Sequence, residues 1–324
     1  MNEVIRICKY CQSENIIKYG TYGGVQLYYC KDCGSKFKDD DTTFHMKTPA
    51  NQVTSALNMW YEGMSIKAIA RNLKQEHGNM PSTATIYEWV QKYTQYATDS
   101  IKDYKPSRIG NTWVADETVI EIDGNNVWLW DIIDYDTRFL LATRISRSRT
   151  TQDAQMLYAK AVKMAGKEPE KVITDKLASY LDVRYGEDTD HIPSSPFAVE
   201  HNTQLIERFH STLKQRTKVM RGLKNIQSAL DFMDGFFVHY NYLRPHTFLG
   251  DKTPAEVAGI DYPYQNWADI IRKHKPSKPV VVEHQPRDRV KLPVVQVGRP
   301  QKRKRYRRKL PTTPTTMMGL RLKK

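Results

Sequence analysis

No cysteine occurs after residue 33, no stretch approaches a membrane-spanning length, and residues 299–324 contain no acidic side chain. A helical membrane span needs ~20 consecutive apolar residues, so the second absence excludes that class. The opening Met-Asn-Glu-Val-Ile-Arg-Ile-Cys also lacks the apolar core of a secretory signal, and a cytoplasmic, nucleoid-associated protein is expected. The missing acids account for most of the charge. Of a formal +14, eleven Lys and Arg fall in residues 299–324, so residues 1–298 carry 39 basic against 36 acidic groups, net +3. A tail of this composition buries too little apolar surface to order itself and reads as an electrostatic arm for a polyanion. It has no amphipathic pattern, which favours nucleic acid over an anionic membrane. At 324 residues the chain has room for two or three domains.

The four cysteines form two pairs, Cys8-Lys-Tyr-Cys11 and Cys30-Lys-Asp-Cys33, with eighteen residues between them. Each C-x-x-C turn aims two thiolates at one centre, the spacing of a zinc ribbon over residues 1–38. Four sulfur ligands close the tetrahedron and leave no place for water, so one structural Zn²⁺ is expected and not a catalytic one. Tyr28, Tyr29, Lys31, Lys36 and Lys38 surround the second pair as possible nucleic-acid contacts.

After a polar linker, residues 50–97 read as three helices: Asn51 to Trp60, a second capped by Ser65, and a third capped by Ser82 or Thr83 and running to about Tyr93. This is the layout of a helix-turn-helix, with Thr83, Thr85, Tyr87, Glu88 and Lys92 available to a DNA groove; three-helix arrays also occur without DNA.

From Asn111 the period changes to two. Val114, Asp116, Thr118, Ile120 and Ile122 share a strand face, a turn at Gly124-Asn125-Asn126 leads into 127–133, and a turn at 134–137 leads into 138–145. A helix over 151–165, a buried strand over 171–174 ending at Asp175, and a further possible strand at 197–199 complete a mixed sheet with packed helices over residues 108–262. A helix from about 201 to 220 follows, with Leu205, Ile206, Phe209, Leu213 and Met220 on an apolar stripe and Glu207, Ser211, Lys214 and Lys218 on the other side. Another helix spans 228–239, Pro254 opens a short one, and residues 276–324 form a Pro-rich extension and basic tail with possible short strands at 280–282 and 294–297.

An aspartate on an apolar strand face needs a compensating cation. Asp116, Asp175 and Glu207 together can hold one or two Mg²⁺ (or Mn²⁺) ions, since hard cations take oxygen ligands. Two such ions serve in-line displacement at phosphorus, the cutting and joining of nucleic-acid strands. Ser211, Lys214 and Lys218 would then follow the substrate backbone. Glu200 is an alternative third acid without a lysine row behind it. Asp131, Asp134, His210 and His246 read as structural or supporting groups.

The ordered pieces Val-Ala-Asp116-Glu-Thr, Val-Ile-Thr-Asp175-Lys, Asn202-x4-Glu207-Arg with Lys214, and Asn241-x2-Arg244-Pro245-His246 followed by Lys252-Thr253-Pro254-Ala255-Glu256 resemble the DDE transposases of insertion sequences, family six in particular. The resemblance implies a retroviral-integrase-like, ribonuclease-H-like α/β core, with Asp116, Asp175 and Glu207 as metal ligands and Lys214 or Arg208 at the transposon end. It implies nicking at terminal inverted repeats and attack of the exposed 3′ hydroxyls on double-stranded target DNA, by a homo-oligomer of at least two copies. The alternatives are a catalytically silent, transposase-derived DNA-binding regulator and an RNA-processing nuclease.

Overall fold

A computed structural model of the chain describes residues 7–38, 48–195, 198–200, 202–220 and 223–273. The expected features at 276–324 lie outside these residues, as do the first six residues of the expected ribbon.

The N-terminal segment is a three-stranded antiparallel sheet, β1 (Ile16–Tyr22), β2 (Val25–Cys30) and β3 (Lys36–Lys38), in the order β1-β2-β3. Its small core is Cys8, Tyr28, Cys30 and Phe37, with the Tyr28 and Phe37 rings stacked at 5.7 Å. So few apolar side chains supply little stability, the usual situation of a module held together by a metal or disulfides.

Three helices follow: α1 (Ala50–Tyr61), α2 (Ile66–His77) and α3 (Thr83–Ser100). Ser65 and Ser82 cap α2 and α3, accepting hydrogen bonds from the Ala68 and Thr85 N–H groups. Gly78, at φ 68°, ends α2 in the left-handed conformation, its N–H donating to the Lys74 carbonyl. α3 runs seven residues beyond the expected end at Tyr93. The polar Thr94 and Ser100, together with Ala97, are buried, so the hidden face continues although its hydrophobic period does not. These helices share one apolar core with the sheet domain that follows. Tyr61 stacks on Trp267 at 5.3 Å and on His239 at 5.1 Å.

The second sheet has the order β6-β5-β4-β7-β8, from β4 (Thr112–Ile122), β5 (Asn125–Asp134), β6 (Leu140–Ser146), β7 (Lys171–Thr174) and β8 (Asp190–Pro193). β4, β5 and β6 are an antiparallel meander, while β7 lies parallel to β4 and β8 parallel to β7. This is the expected mixed α/β sheet. The first turn falls at Asp123-Gly124, one residue before the expected place, because both residues have positive φ (51° and 71°) as a two-residue hairpin turn demands. The second turn is closed by Asp134, whose carboxylate accepts from the Thr137 N–H and hydroxyl.

The fifth strand is a correction. Ala198 and Val199 are not in a strand; the sheet is completed by Asp-His-Ile-Pro at 190–193, a four-residue edge strand too short to show alternation. Pro193 is tolerated there because an edge leaves its missing N–H without consequence.

The helices around the sheet are α4 (Thr151–Ala165), the short α5 (Ala178–Leu181), α6 (Gln204–Met220), α7 (Ile226–Val238), the short α8 (Pro254–Val257) and α9 (Trp267–Lys273). α6 buries Ile206, Phe209 and Leu213. At ~1.5–3 kcal/mol for each such side chain removed from water, that face alone fixes the helix on the sheet. His210 and Arg216 are buried on it too, a departure from the apolar stripe expected there. After α7 the chain makes a π-helical turn, His239–Leu243, in which the Asn241 side chain donates to the Leu140 carbonyl and accepts from the Leu140 N–H.

Candidate metal centre

Two strands running the same way bring the first two acids together. The β4–β7 ladder pairs Thr112 with Lys171, Trp113 with Val172 and Val114 with Ile173. Continued by two places, that register sets Asp116 beside Asp175 just past the carboxyl end of β7. The backbone beyond Thr174 leaves the sheet, with the Asp175 carboxylate accepting from the Leu177 N–H at 2.9 Å. β4 goes on alone on that side, so the gap next to it is open to side chains.

A third acid fills the gap, and it is Glu117. One carboxylate oxygen from each of Asp116, Glu117 and Asp175 lies within 4.8 Å of the others. Strand alternation assigns Glu117 to the face opposite Asp116, so the sequence reading passed it over; its acidity beside Asp116 was the only signal. The side chain of Glu117 is 1% exposed, against 16% for Asp116 and 36% for Asp175. Burial pushes the Glu117 carboxyl above the usual range; the Arg149 guanidinium opposes this, and the negative charges of Asp116 and Asp175 reinforce it. Asp175 is likewise raised by burial and by Asp116, against the Leu177 N–H and Arg149. Arg149 pairs with Glu117 and stands 4.0 Å from Asp175.

The donor set is made of oxygen alone, and Oε2 of Glu117 is buried with no hydrogen-bond partner. Hard divalent cations match such a set, and the mutual repulsion of the three acids is relieved by one. The residues present therefore fit a Mg²⁺ or Mn²⁺ ion.

Behind the acids lies a histidine between two carboxylates. His210, on α6, places Nδ1 3.5 Å from Asp116 and Nε2 3.0 Å from the fully buried Asp131 on β5. Burial alone drives an imidazole toward its neutral form, but here the two flanking carboxylates overcome it and raise His210 to about 9. Asp131 is directly across the β4–β5 ladder from Asp116, which explains how one ring spans both.

Glu207 is not in the three-acid group. It lies exposed in the first turn of α6, one turn before His210, and accepts from the Thr203 hydroxyl at 3.3 Å. Arg208, Ser211, Lys214 and Lys218 are exposed on the same helix. Glu200 is exposed and likewise outside the group.

The four cysteines converge as a second cluster, with Sγ of Cys8 3.6 Å from that of Cys33 and Sγ of Cys11 3.5 Å from that of Cys30. On α3 the expected groove-facing residues divide between two sides. Thr83 and Tyr87, four residues apart, line a cleft of about 670 Å³ with Val219, Met220 and Lys224. At 100° per residue, Thr85 and Lys92 point nearly the opposite way, and the Lys92 ammonium rests over Tyr93 and Tyr96 at 5.2 and 5.6 Å. One helix face cannot present all four to a single groove.

Clustered acids at the end of a parallel strand pair make a carboxylate site that a divalent cation fits. Residues 110–246 match the family described as the DDE domain. An uncharacterized protein in transposable element ISH50 of Halobacterium salinarum is 31% identical over 90 residues, which is 26% of this chain. The match spans only 28% of that curated relative's length. Among solved structures, the HTLV-2 integrase catalytic core domain in complex with magnesium aligns over 48% of this chain and 98% of its own, at 14% identity and a TM-score of 0.36. A simian T-cell lymphotropic virus intasome in complex with PP2A regulatory subunit B56 gamma aligns over 70% and 79%, at 14% identity and a TM-score of 0.38. Among the described residues, no helix is long and apolar enough to cross a membrane.

Proposed function

We propose that the protein is a DNA transposase that nicks the ends of its element and joins them to target DNA. The observation that carries this reading is the convergence of Asp116, Glu117 and Asp175 at the end of two parallel strands, inside the segment that matches the DDE domain. Asp116 and Asp175 would hold Mg²⁺ or Mn²⁺, with Glu117 close enough to join them. Glu207 is the competing candidate for the third catalytic acid, one turn from His210, whose Nδ1 stands 3.5 Å from Asp116. A bound divalent ion supplies Lewis acidity, stabilising both the attacking and the leaving oxygen of an in-line displacement at phosphorus.

In the joining step a 3′ hydroxyl oxygen bonds to phosphorus, the bond from phosphorus to the target strand's 3′ oxygen breaks, and the proton passes from the attacking to the leaving oxygen through solvent. The chain positions the strand: Lys214 and Lys218 form an exposed cationic row on α6 that suits a phosphate backbone, with Arg208 exposed on another side of the helix. The four-cysteine sheet, holding one structural Zn²⁺, and α1–α3 bind the terminal repeats, with Thr83 and Tyr87 or Thr85 and Lys92 as the contacting side. Two ends must be held together, so the active form is a homo-oligomer of at least two copies.

The test is a strand-transfer assay with linear DNA carrying the element's terminal repeats, a target plasmid and Mg²⁺. Joined products are expected with the parent protein and absent with Asp175→Asn. Glu117→Gln and Glu207→Gln, assayed side by side, decide which acid completes the site. Repeat binding without cutting or joining would replace this reading with a silent DNA-binding regulator.

A further inference from the structure

Arg149 sits between β6 and α4 with its backbone pinned and its side chain extended to the acid cluster. Its carbonyl accepts from the Ser179 hydroxyl at 2.9 Å, and the next residue, Thr150, caps α4 through reciprocal bonds with Asp153. The guanidinium lies 4.5 Å from the centroid of the Trp128 ring and reaches Glu117 and Asp175, with 35% of the side chain still exposed. Among the described residues, it is the guanidinium that pairs with Glu117 and Asp175, while His210 stands beside Asp116.

A guanidinium and a divalent ion compete for the same carboxylate oxygens. The ion carries twice the charge and binds closer, so it displaces the arginine, and repulsion between the two cations then moves the side chain outward. With the backbone held, Trp128 as a platform and part of the side chain already exposed, the guanidinium is placed to reorient within the site. A planar fork of N–H donors matches two phosphate oxygens.

We propose that Arg149 is a switching cation: it neutralises Glu117 and Asp175 in the metal-free protein, and it clasps the non-bridging oxygens of the scissile phosphodiester once divalent ions take those carboxylates. The proposal rests on the reading of this site as a metal-dependent transposase centre. It makes Arg149 a catalytic residue whose removal has opposite effects on two measurements. Without it, metal binds more tightly; without it, strand transfer fails.

The experiment uses the full chain with its zinc retained. Mn²⁺ binding is measured by calorimetry and strand transfer on the same preparations, for the parent, Arg149→Gln, Arg149→Lys and an Asp175→Asn control. Removing the competing positive charge in R149Q is expected to tighten Mn²⁺ binding by roughly tenfold. Loss of the phosphate clasp is expected to slow strand transfer by about a hundredfold, the effect of deleting one preorganised donor. R149K keeps a charge without the fork, so its Mn²⁺ affinity stays near the parent's while strand transfer remains impaired. A merely structural arginine would lower activity without tightening metal binding. The proposal is overturned if R149Q binds Mn²⁺ within twofold of the parent, or if R149Q or R149K transfers strands within threefold of it. A parent protein that binds no Mn²⁺ at the Asp175-dependent site overturns the metal-centre reading itself, and the proposal with it.

Discussion

Replacing His210 by leucine tests the least visible part of the site. The imidazole is 5% exposed and lies between Asp116 and an Asp131 with no exposure, one of whose carboxylate oxygens, Oδ1, already has no partner. The substitution removes the one hydrogen bond that the buried Asp131 carboxylate makes to a side chain. Breaking a buried pair from one side costs ~3–5 kcal/mol, because the remaining charge has lost both its partner and water. For a domain of this size that is a fall of roughly 6 to 20 °C in melting temperature. The double substitution Asp131→Leu with His210→Leu removes the orphan along with its partner, and ~1–2 kcal/mol of stability is expected to remain lost. Urea unfolding of the four members of the cycle, followed by circular dichroism, reads both quantities. A loss below ~1 kcal/mol for H210L, or a double variant that costs the sum of the singles, would refute the argument that these groups form a mutually dependent buried pair.

Other consequences follow from the same structure. Burial and the neighbouring Arg244 drive His246 down to about 4, so the folded state refuses a proton that the unfolded chain accepts near 6.5. Its contribution is therefore complete above pH 6.5 and is lost as pH falls toward 4; at 1.36 kcal/mol per pKa unit, discounted for partial exposure, this is ~2 kcal/mol, and His246→Asn should flatten that part of the acid titration of stability. Gly235, on α7, has no room for a side chain, since an added Cβ would collide with the Tyr61 hydroxyl and the Thr94 methyl group. Gly235→Ala should cost ~1–3 kcal/mol, seen as a lower urea midpoint, although alanine is the better helix former. Cys30→Ser removes one of four converging thiols from a sheet with a very small core. Stoichiometric zinc should be lost on metal analysis, and residues 7–38 should become the first site of limited proteolysis while the DDE domain melts unchanged.

Much was legible in the residues alone. Period-two alternation located β4, and the turns around 124 and 134–137 located β5 and β6; Ser65 and Ser82 marked helix starts; and the cysteine spacing announced a four-thiol cluster. These are local signals, carried by neighbours within one turn or one strand. The pairing of Asp116 with Asp175 was also foreseeable, because acids at the ends of parallel strands in one sheet are set side by side by the ladder.

Tertiary structure decided the rest. The early end of β7 opens a gap that lets Glu117, nominally on the wrong face, turn toward Asp175. Whether Arg149 would neutralise that cluster depended on where the loop before α4, 32 residues along the chain from Glu117, would settle, and whether His210 would be structural depended on which strand lay under α6. β8 has no periodic signature, so only the unpaired edge of β7 could recruit it. Sequence determines which segments become helix or strand through contacts a few residues long; which side chains share a site is decided by packing between segments dozens of residues apart, where no local pattern reaches.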